Sequence, residues 1–248
     1  MLTVIIPFKQ IDKIREDNLK TVIDHLLNFS ERPISIMLVE GVSSSSTPLS
    51  LNFDSRVLHH VYPHDMDVFN KCKLYNYAIK QVKDELICFH DSDLIVNLNA
   101  LEASCRLLDD NNVKLVQPYD PTSFLEWDKN HSFKTGRDNL PLCGGCSVMR
   151  KEFIVSIGGW IEDFEKWGGE DTALDFIIER FNYKTLRLNG ECTHLYHPPF
   201  VRDINLNETN EKILRYIFEM NNNEMIKFMT GRIKDFKKYL MEDEKERS

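Results

Sequence analysis

Residues 85–93 read ELICFHDSD, a short apolar run followed at once by a cluster of polar residues. The run from Glu85 to Phe89 predicts a buried strand, because a short apolar stretch bounded by polar residues is typical of a sheet that is covered on both faces. In open α/β sheets, ligands bind beyond the carboxyl ends of the strands. The cluster from His90 to Asp93 therefore stands where a binding or catalytic site is expected.

Strand-like and helix-like segments alternate on both sides of this run, which predicts an α/β fold with helices on the faces of a sheet. The predicted strands are 2–8, 34–39, 56–62, 85–89, 113–118, 147–149 and 185–188. The predicted helices are 18–29, 69–82, 101–108, 170–181 and a tail that begins near Leu206. The polar stretch from Tyr119 to Leu142 is too long for a plain connector and is assigned to substrate contact. We expect a catalytic domain over residues 1–202 and a C-terminal helical extension, residues 203–248, packed on it.

The composition excludes several classes of protein. The chain has 248 residues, 42% hydrophobic and 28% charged, which is typical of a globular protein rather than a disordered or fibrous one. A formal net charge of −8 disfavours nucleic-acid binding. We find no apolar run of membrane-spanning length and no signal peptide, and six cysteines are too few for a disulfide scaffold. These features favour a cytoplasmic protein.

Asp91 and Asp93 form a DxD motif at the end of the predicted strand. Two carboxylates in that position can hold a hard divalent cation such as Mn²⁺ or Mg²⁺ against a diphosphate. A strand-end turn rich in Asp is the alternative, and the motif is not specific by itself, since residues 65–67 have the same spacing. A haloacid-dehalogenase phosphatase is disfavoured because Ile95 stands where that motif needs Thr or Ser.

A glycine-rich segment from Gly158 to Gly169 leads into Glu170 and Asp171 at the start of a predicted helix. Glycines beside Trp167 suggest a hinged loop that carries an aromatic lid. Two acids at its root can supply a general base and an anchor for an acceptor hydroxyl. The alternative is that both acids simply favour the positive end of the helix dipole.

His194 and His197 lie three residues apart, just past the last predicted strand. Both imidazoles can reach one metal ion, and the alternative is a pair of surface histidines. A zinc site from Cys143, Cys146, Cys192 and one of these histidines is a rival, weakened because the chain has a single Cys-x-x-Cys motif. A thioredoxin-type redox pair is also disfavoured, because Cys143 does not open a predicted helix.

Four segments, in this order, resemble the catalytic domain of β-1,4-galactosyltransferases and the related chondroitin-polymerase-type transferases. They are VIIPFK at 4–9, FNKCKLYN at 69–76, DSDLI at 91–95, and the stretch from the glycines at 144–145 to WGGED at 167–171. The resemblance covers residues 3–200. It implies the GT-A fold, a Rossmann-like mixed sheet flanked by helices, and an inverting transfer of a sugar from a UDP-sugar to an acceptor hydroxyl, assisted by Mn²⁺ or Mg²⁺.

The resemblance also assigns donor-binding positions. They are Pro7, Phe8 and Lys9 in the nucleotide pocket, Phe69 and Lys71 against uracil and ribose or diphosphate, Gly144 and Gly145 in backbone beside the donor, and Trp167 in a mobile loop. Glu40 and Asp91, at the carboxyl ends of two predicted strands, are further donor-binding candidates. The family usually has Arg where Lys9 and Lys71 stand, so point charges replace bidentate contacts there.

The metal ligands and reacting carboxylates follow from the same resemblance. Asp93 and His197 match the family's metal ligands, and His194 stands where vertebrate members often have Met, a softer ligand. Glu170 matches an acid that binds the acceptor, and Asp171 matches the presumed base.

The partners expected from the resemblance are a UDP-sugar donor and a glycan or glycoconjugate acceptor, in polysaccharide biosynthesis. Galactose or N-acetylgalactosamine is favoured as the sugar. Since no stem or membrane anchor precedes the domain, unlike in Golgi enzymes, we expect a bacterial or viral cytosolic protein. Two alternatives stay open: a retaining N-acetylgalactosaminyltransferase-like enzyme of the same fold, which commonly has Asn at the position of Asp171, and a non-catalytic sugar-nucleotide or glycan-binding module.

Overall fold

The computed structural model describes residues 1–63, 69–121, 124–127, 133–135, 140–166, 168–198 and 204–242. The strands are β1 (Leu2–Phe8), β2 (Ile34–Val42), β3 (Val57–Pro63), β4 (Leu86–His90), β5 (Leu94–Val96), β6 (Val113–Gln117), β7 (Phe124–Trp127), β8 (Phe133–Thr135), β9 (Cys146–Arg150), β10 (Lys184–Arg187) and β11 (Cys192–His194). The helices are α1 (Lys13–Leu27), α2 (Lys71–Gln81), α3 (Leu98–Leu107), α4 (Lys151–Ser156), α5 (Glu170–Arg180), α6 (Ile204–Glu219) and α7 (Asn222–Met241). The predicted α/β class is confirmed.

The strands form two sheets within the described residues. The larger sheet has seven strands in the order β10-β6-β9-β4-β1-β2-β3, and the smaller one has four in the order β5-β11-β7-β8. In the larger sheet β9 pairs antiparallel with β4 and β6, and the other neighbours are parallel. Because β1, β2 and β4 are parallel neighbours, their carboxyl ends meet at one edge of the sheet.

The central strand β1 is buried along its whole length because helices cover both faces of the sheet. Ile5 packs in the core with α2, α4, α5, α6 and α7, whereas Val4 and Ile6 pack on the opposite face with α1 and α3. Strands that are buried on both faces need no polar side, which explains the continuous apolar runs in the sequence.

Helix α1 begins five residues before the predicted start. Its first turn is polar except for the exposed Ile14 and shows no apolar period, but the Asp12 side chain accepts a hydrogen bond from the backbone N–H of Arg15 at 2.8 Å and caps the helix. The predicted apolar stripe is confirmed, since Leu19, Val22, Ile23 and Leu26 are buried.

Five short elements were not predicted, namely β5, β7, β8, β11 and α4. Each has three to six residues, too few to show a hydrophobic period. The stretch from Tyr119 to Leu142, assigned from the sequence to substrate contact, contains β7 and β8, which pair with each other. Its contact with substrate stays a prediction.

The C-terminal tail forms two helices rather than one. Asn221 separates them, because its side chain and that of Glu224 form a capping box at the start of α7. Met225, Met229 and Phe236 of α7 lie in the same core as α2 and α5. The predicted boundary between residues 202 and 203 falls outside the described residues, so the domain division stays a prediction. No helix in the described ranges combines the length and the apolar character needed to cross a bilayer.

Asn76 of α2 fixes the start of the glycine-rich segment. Its side-chain amide donates to the Trp160 carbonyl at 2.9 Å and to Glu162 Oε1 at 2.8 Å, and its Oδ1 accepts from the Trp160 N–H at 2.8 Å. Trp160 is fully buried and stacks on Tyr75. The segment is therefore anchored to α2 before it reaches Glu170.

Candidate functional site

A cavity of about 380 Å³ opens where β1 and β2 end. It is lined by residues that follow β1, by the end of β2 and by the Ser-rich loop after it; they include Lys9, Asp12, Glu40, Ser46 and Thr47. Lys9 and Glu40, both predicted to bind the donor, thus share one cavity. The position agrees with the rule that ligands bind at the carboxyl edge of such sheets.

Three donor-binding candidates at this edge have their side chains engaged elsewhere. Pro7 is buried in β1 where it pairs with β2, and Phe8 is 2% exposed and packs in the core beside α1 and α3. The Glu40 carboxylate accepts from the Leu49 N–H at 3.0 Å and contacts His59 Nε2 at 2.9 Å. Glu40 therefore also ties the Ser-rich loop to β2.

Asp93, His194 and His197 come together at the end of β4. One ligand atom from each lies within 4.8 Å of the other two, and no other such group of three is found among the described residues. His197 Nε2 is 3.1 Å from Asp93 Oδ2, and His194 Nε2 is 3.7 Å from Asp93 Oδ1. The arrangement that the sequence suggested for a metal site is therefore present in the fold.

The small sheet builds this cluster. Strands β5 and β11 pair antiparallel with His194 opposite Leu94, and the Leu195 N–H donates to the Asp93 carbonyl at 2.8 Å. Residues about 100 positions apart in the chain are thereby held at a fixed register. Helix α1 clamps the loop after β11, since Asn18 donates to the Tyr196 carbonyl at 2.9 Å.

The ring of His197 is oriented by its own loop. Its Nδ1 lies 3.0 Å from the Pro198 carbonyl, which also accepts from Arg15 at 2.7 Å. A carbonyl can only accept, so Nδ1 carries the proton and Nε2 of the neutral ring presents a lone pair toward Asp93. Burial alone would lower the pKa of His197, but Asp93 more than offsets this and raises it. A proton or a metal cation satisfies this pair of acceptors equally.

A second cluster surrounds the Lys71 ammonium group at the start of α2. Lys71 Nζ lies 2.9 Å from Glu170 Oε1, 3.2 Å from Asp171 Oδ2 and 3.9 Å from Asp91 Oδ1. Glu170 Oε2 and Asp171 Oδ1 are buried and have no hydrogen-bond partner. Lys71, predicted to contact the donor, thus lies among carboxylates.

Burial controls the protonation of this second cluster. It raises the pKa of Asp171 to about 8, against the lowering effect of Lys71, and Glu170 and Asp91 add to the rise. Burial also raises the pKa of Asp91, to about 6. For Lys71 burial acts downward, but Asp171, Asp91 and Glu170 outweigh it and raise the pKa well above its ordinary value.

The turn at Gly144 and Gly145 packs against the second cluster. The Gly145 carbonyl accepts from the Asp91 N–H at 2.7 Å, and a Cβ on Gly144 would lie 3.4 Å from Asp171 Oδ2. Gly145 has a φ of 71°, and a Cβ there would lie 2.5 Å from the hydroxyl of Tyr119. Close packing therefore explains both glycines, against the Asp171 carboxylate at Gly144 and against Tyr119 at Gly145.

The zinc alternative finds no support in the geometry. Cys143, Cys146 and Cys192 are free and buried, and among the described residues they form no cluster with His194 or His197. The Cys146 thiol instead lies 3.5 Å from that of Cys88. Burial raises the pKa of Cys143 well above its usual range, which disfavours a reactive thiolate.

Two predicted features lie outside the described residues: Trp167 and the second DxD motif at 65–67. Phe69 is partly buried against the core, and its carbonyl accepts from the Lys166 N–H at 2.8 Å. Asn18 and Tyr119, whose hydroxyl donates to the Gly144 carbonyl at 2.7 Å, were not found from the sequence. No local pattern marks either residue, because each acts on the backbone of a distant segment.

Solved structures with this fold define the class. The chain aligns with a mutant Drosophila β-1,4-galactosyltransferase 7 in complex with manganese, UDP-Gal and xylobiose, with a TM-score of 0.59 and 18% identity over 84% of this chain and 78% of that one. It also aligns with GalNAc-T7 bound to UDP, GalNAc and Mn²⁺, with a TM-score of 0.56 and 12% identity over 79% of this chain and 44% of that one. The chain has the GT-A fold of glycosyltransferases.

Sequence comparison finds similarity to one branch of that class. Residues 130–198 match the family model described as the N-terminal domain of galactosyltransferase. The chain is 24% identical over 226 residues to β-1,4-galactosyltransferase 4 of Cricetulus griseus. The aligned region covers 88% of this chain and 54% of that protein, so the chain spans about half the length of this relative. The resemblance to β-1,4-galactosyltransferases expected from the motifs is confirmed.

Gly145→Ala should lower the free energy of unfolding by about 2–4 kcal/mol, because the new Cβ meets the Tyr119 hydroxyl and the positive φ becomes strained. Gly231→Ala is the matched control: it lies exposed in α7 with nothing within 4 Å of the new Cβ, and it should stabilise by about 0.5–1 kcal/mol. Urea unfolding of both variants measures the difference. Equal effects would contradict the role given to Gly145.

Proposed function

We propose that this protein is a metal-dependent, inverting glycosyltransferase. It moves a hexose or N-acetylhexosamine, with galactose or N-acetylgalactosamine favoured, from a UDP-sugar to a hydroxyl of a glycan or glycoconjugate acceptor. The observation that supports this most is the meeting of Asp93, His194 and His197 at the same sheet edge as Glu170 and Asp171. The UDP-Gal, manganese and xylobiose bound by the Drosophila relative favour the same chemistry.

The proposed metal is Mn²⁺ or Mg²⁺, held by Asp93, His194 and His197. The carboxylate suits either cation, whereas the two imidazoles favour the transition metal Mn²⁺ over Mg²⁺, and the lone pair of His197 Nε2 faces Asp93 as a ligand pair does. When bound, the cation would supply charge compensation for the departing diphosphate. Asn18, by fixing the backbone between the two histidines, keeps both rings directed toward Asp93.

Asp171 is the proposed general base and Glu170 the proposed anchor for the acceptor hydroxyl. Each carboxylate gives one oxygen to Lys71 and keeps the other buried without a hydrogen-bond partner. A buried acceptor without a partner is costly, so these oxygens are suited to receive a hydroxyl group. A general base contributes about 10²–10⁴-fold to the rate. The remaining acceleration must come from orientation and charge compensation.

A screen of UDP-sugars with a panel of glycan acceptors tests the proposal. We expect Mn²⁺-dependent release of UDP with one donor, and NMR of the product should show an inverted anomeric configuration. A retained configuration would favour the N-acetylgalactosaminyltransferase-like alternative. A non-catalytic module would be favoured if the protein binds UDP but neither transfers sugar from any UDP-sugar nor slowly hydrolyses one.

Asp93→Asn should weaken Mn²⁺ binding by at least about 100-fold, because it removes the charge of the carboxylate beside the two imidazoles. Loss of a residue that only hydrogen-bonds to a metal ligand typically costs about 10- to 100-fold, and loss of a ligand's charge should cost more. Calorimetric titration with Mn²⁺, with and without UDP, measures the loss. Asp109→Asn, an exposed aspartate remote from the site, is the control and should leave affinity unchanged. Similar affinities in both variants would refute the metal site.

Asp171→Asn should lower kcat by about 10²–10⁴-fold while the affinity for UDP and Mn²⁺ stays within a few-fold of the unmodified protein. Glu179→Gln, exposed on the same helix, serves as the control for α5. Steady-state kinetics and calorimetry together separate turnover from donor binding. Normal turnover in Asp171→Asn would show that the base is a different group.

A further inference from the structure

Lys71 contacts three carboxylates, two at the start of α5 and one after β4. Its ammonium group lies within hydrogen-bond distance of Glu170 Oε1 and Asp171 Oδ2 on α5, and at ion-pair distance from Asp91 Oδ1 after β4. Its side chain is 14% exposed, so these contacts are made largely away from water. The resemblance assigns this position to ribose or diphosphate contact, yet the geometry directs the charge toward the reacting acids.

We propose that Lys71 is a positioning residue that favours the ionised form of Asp171 and orients both acids, rather than a residue that binds the donor phosphates. This inference rests on the proposed function, since it takes Asp171 as the base. It assigns Lys71 a role on the acceptor side of the reaction centre.

The charge balance of the cluster supports this role. Three carboxylates that lie close together in a partly buried site cannot all stay ionised unless a cation compensates them. The described titratable groups that face Asp171 are Glu170 on its own helix, Asp91 after β4, Cys143 before β9, and Lys71, Cys72 and Tyr75 on α2. Lys71 supplies the positive charge among them. Burial raises the pKa of Asp171 to about 8 and Lys71 acts against that rise.

The pattern of hydrogen bonds supports the orienting role. Lys71 takes one oxygen of each acid, Glu170 Oε1 and Asp171 Oδ2. The second oxygens, Glu170 Oε2 and Asp171 Oδ1, remain buried and without a partner. A fixed ammonium group that holds one oxygen of each carboxylate leaves the other oxygen for the acceptor hydroxyl. These two acids thus occupy two of the three N–H donors of the ammonium group.

Lys71→Met and Lys71→Arg test the proposal through the pH dependence of kcat/KM. Loss of the cation disfavours the charged form of Asp171, so the rising limb of the profile should move to higher pH by one unit or more in Lys71→Met. At pH 7, kcat should fall at least tenfold, while the Kd for UDP with Mn²⁺ stays within about threefold. Lys71→Arg keeps the positive charge, so the rising limb of its profile should lie at the same pH as in the unmodified protein.

Several outcomes would overturn the proposal. A tenfold or greater loss of UDP affinity with an unmoved limb would make Lys71 a phosphate contact, and an unchanged limb with unchanged kcat would give it no role. If Lys71→Met does not fold, Lys71→Gln takes its place. The proposal is also refuted if the rising limb of the pH profile moves in Lys71→Arg as far as it does in the neutral variant.

A second readout separates this proposal from the proposed function. If the unmodified protein turns over no UDP-sugar, the proposed function fails, and ¹³C NMR of labelled aspartate carboxyl groups then tests Lys71 without turnover. The Asp171 signal, assigned with Asp171→Asn, should titrate at higher pH in Lys71→Met than in the unmodified protein. Equal titration in the two proteins would refute the role of Lys71.

Discussion

The concentration of negative charge at one sheet edge governs the architecture of this site. Asp91, Asp93, Glu170 and Asp171 all lie where β4 ends and α5 begins. Mutual repulsion and burial would protonate some of them unless cations were close. Lys71 compensates the group around α5, and the two histidines stand beside Asp93 where a proton or a metal cation completes the balance. Two carboxylate clusters with separate sources of positive charge can therefore perform separate tasks.

A glycine turn packs closely against the cluster around Lys71. The Gly145 carbonyl accepts from the Asp91 N–H, and Gly144 packs within reach of Asp171. Gly145 has a positive φ and lies against the Tyr119 hydroxyl, so a larger side chain there would displace the turn. Backbone packing thus supports the carboxylates on both sides of the Lys71 ammonium group.

Much of the fold could be predicted because its central elements carry long apolar signals. β1 and β4 lie between two cores and read as unbroken apolar runs, and α1 and α2 show the expected stripes. The three-residue strands β5 and β11 carry no such period, although their pairing brings His194 to Asp93. The start of α1 and the division of the tail into α6 and α7 depend on side-chain caps at Asp12 and Asn221. Such caps are local hydrogen bonds made by polar side chains, so the spacing of apolar residues does not predict them.

The sequence by itself determined the α/β class, the strand-end position of Asp91 and Asp93, and the pairing of acids at the start of α5. These depend on nearest neighbours along the chain, where period and strand ends are visible. The meeting of Asp93 with two histidines from about 100 residues away was implied only by the family resemblance, and strand pairing brings it about. Tertiary structure alone decided that Lys71 turns toward Glu170 and Asp171. Those contacts depend on strand register and on the balance of buried charge, which a linear pattern does not encode.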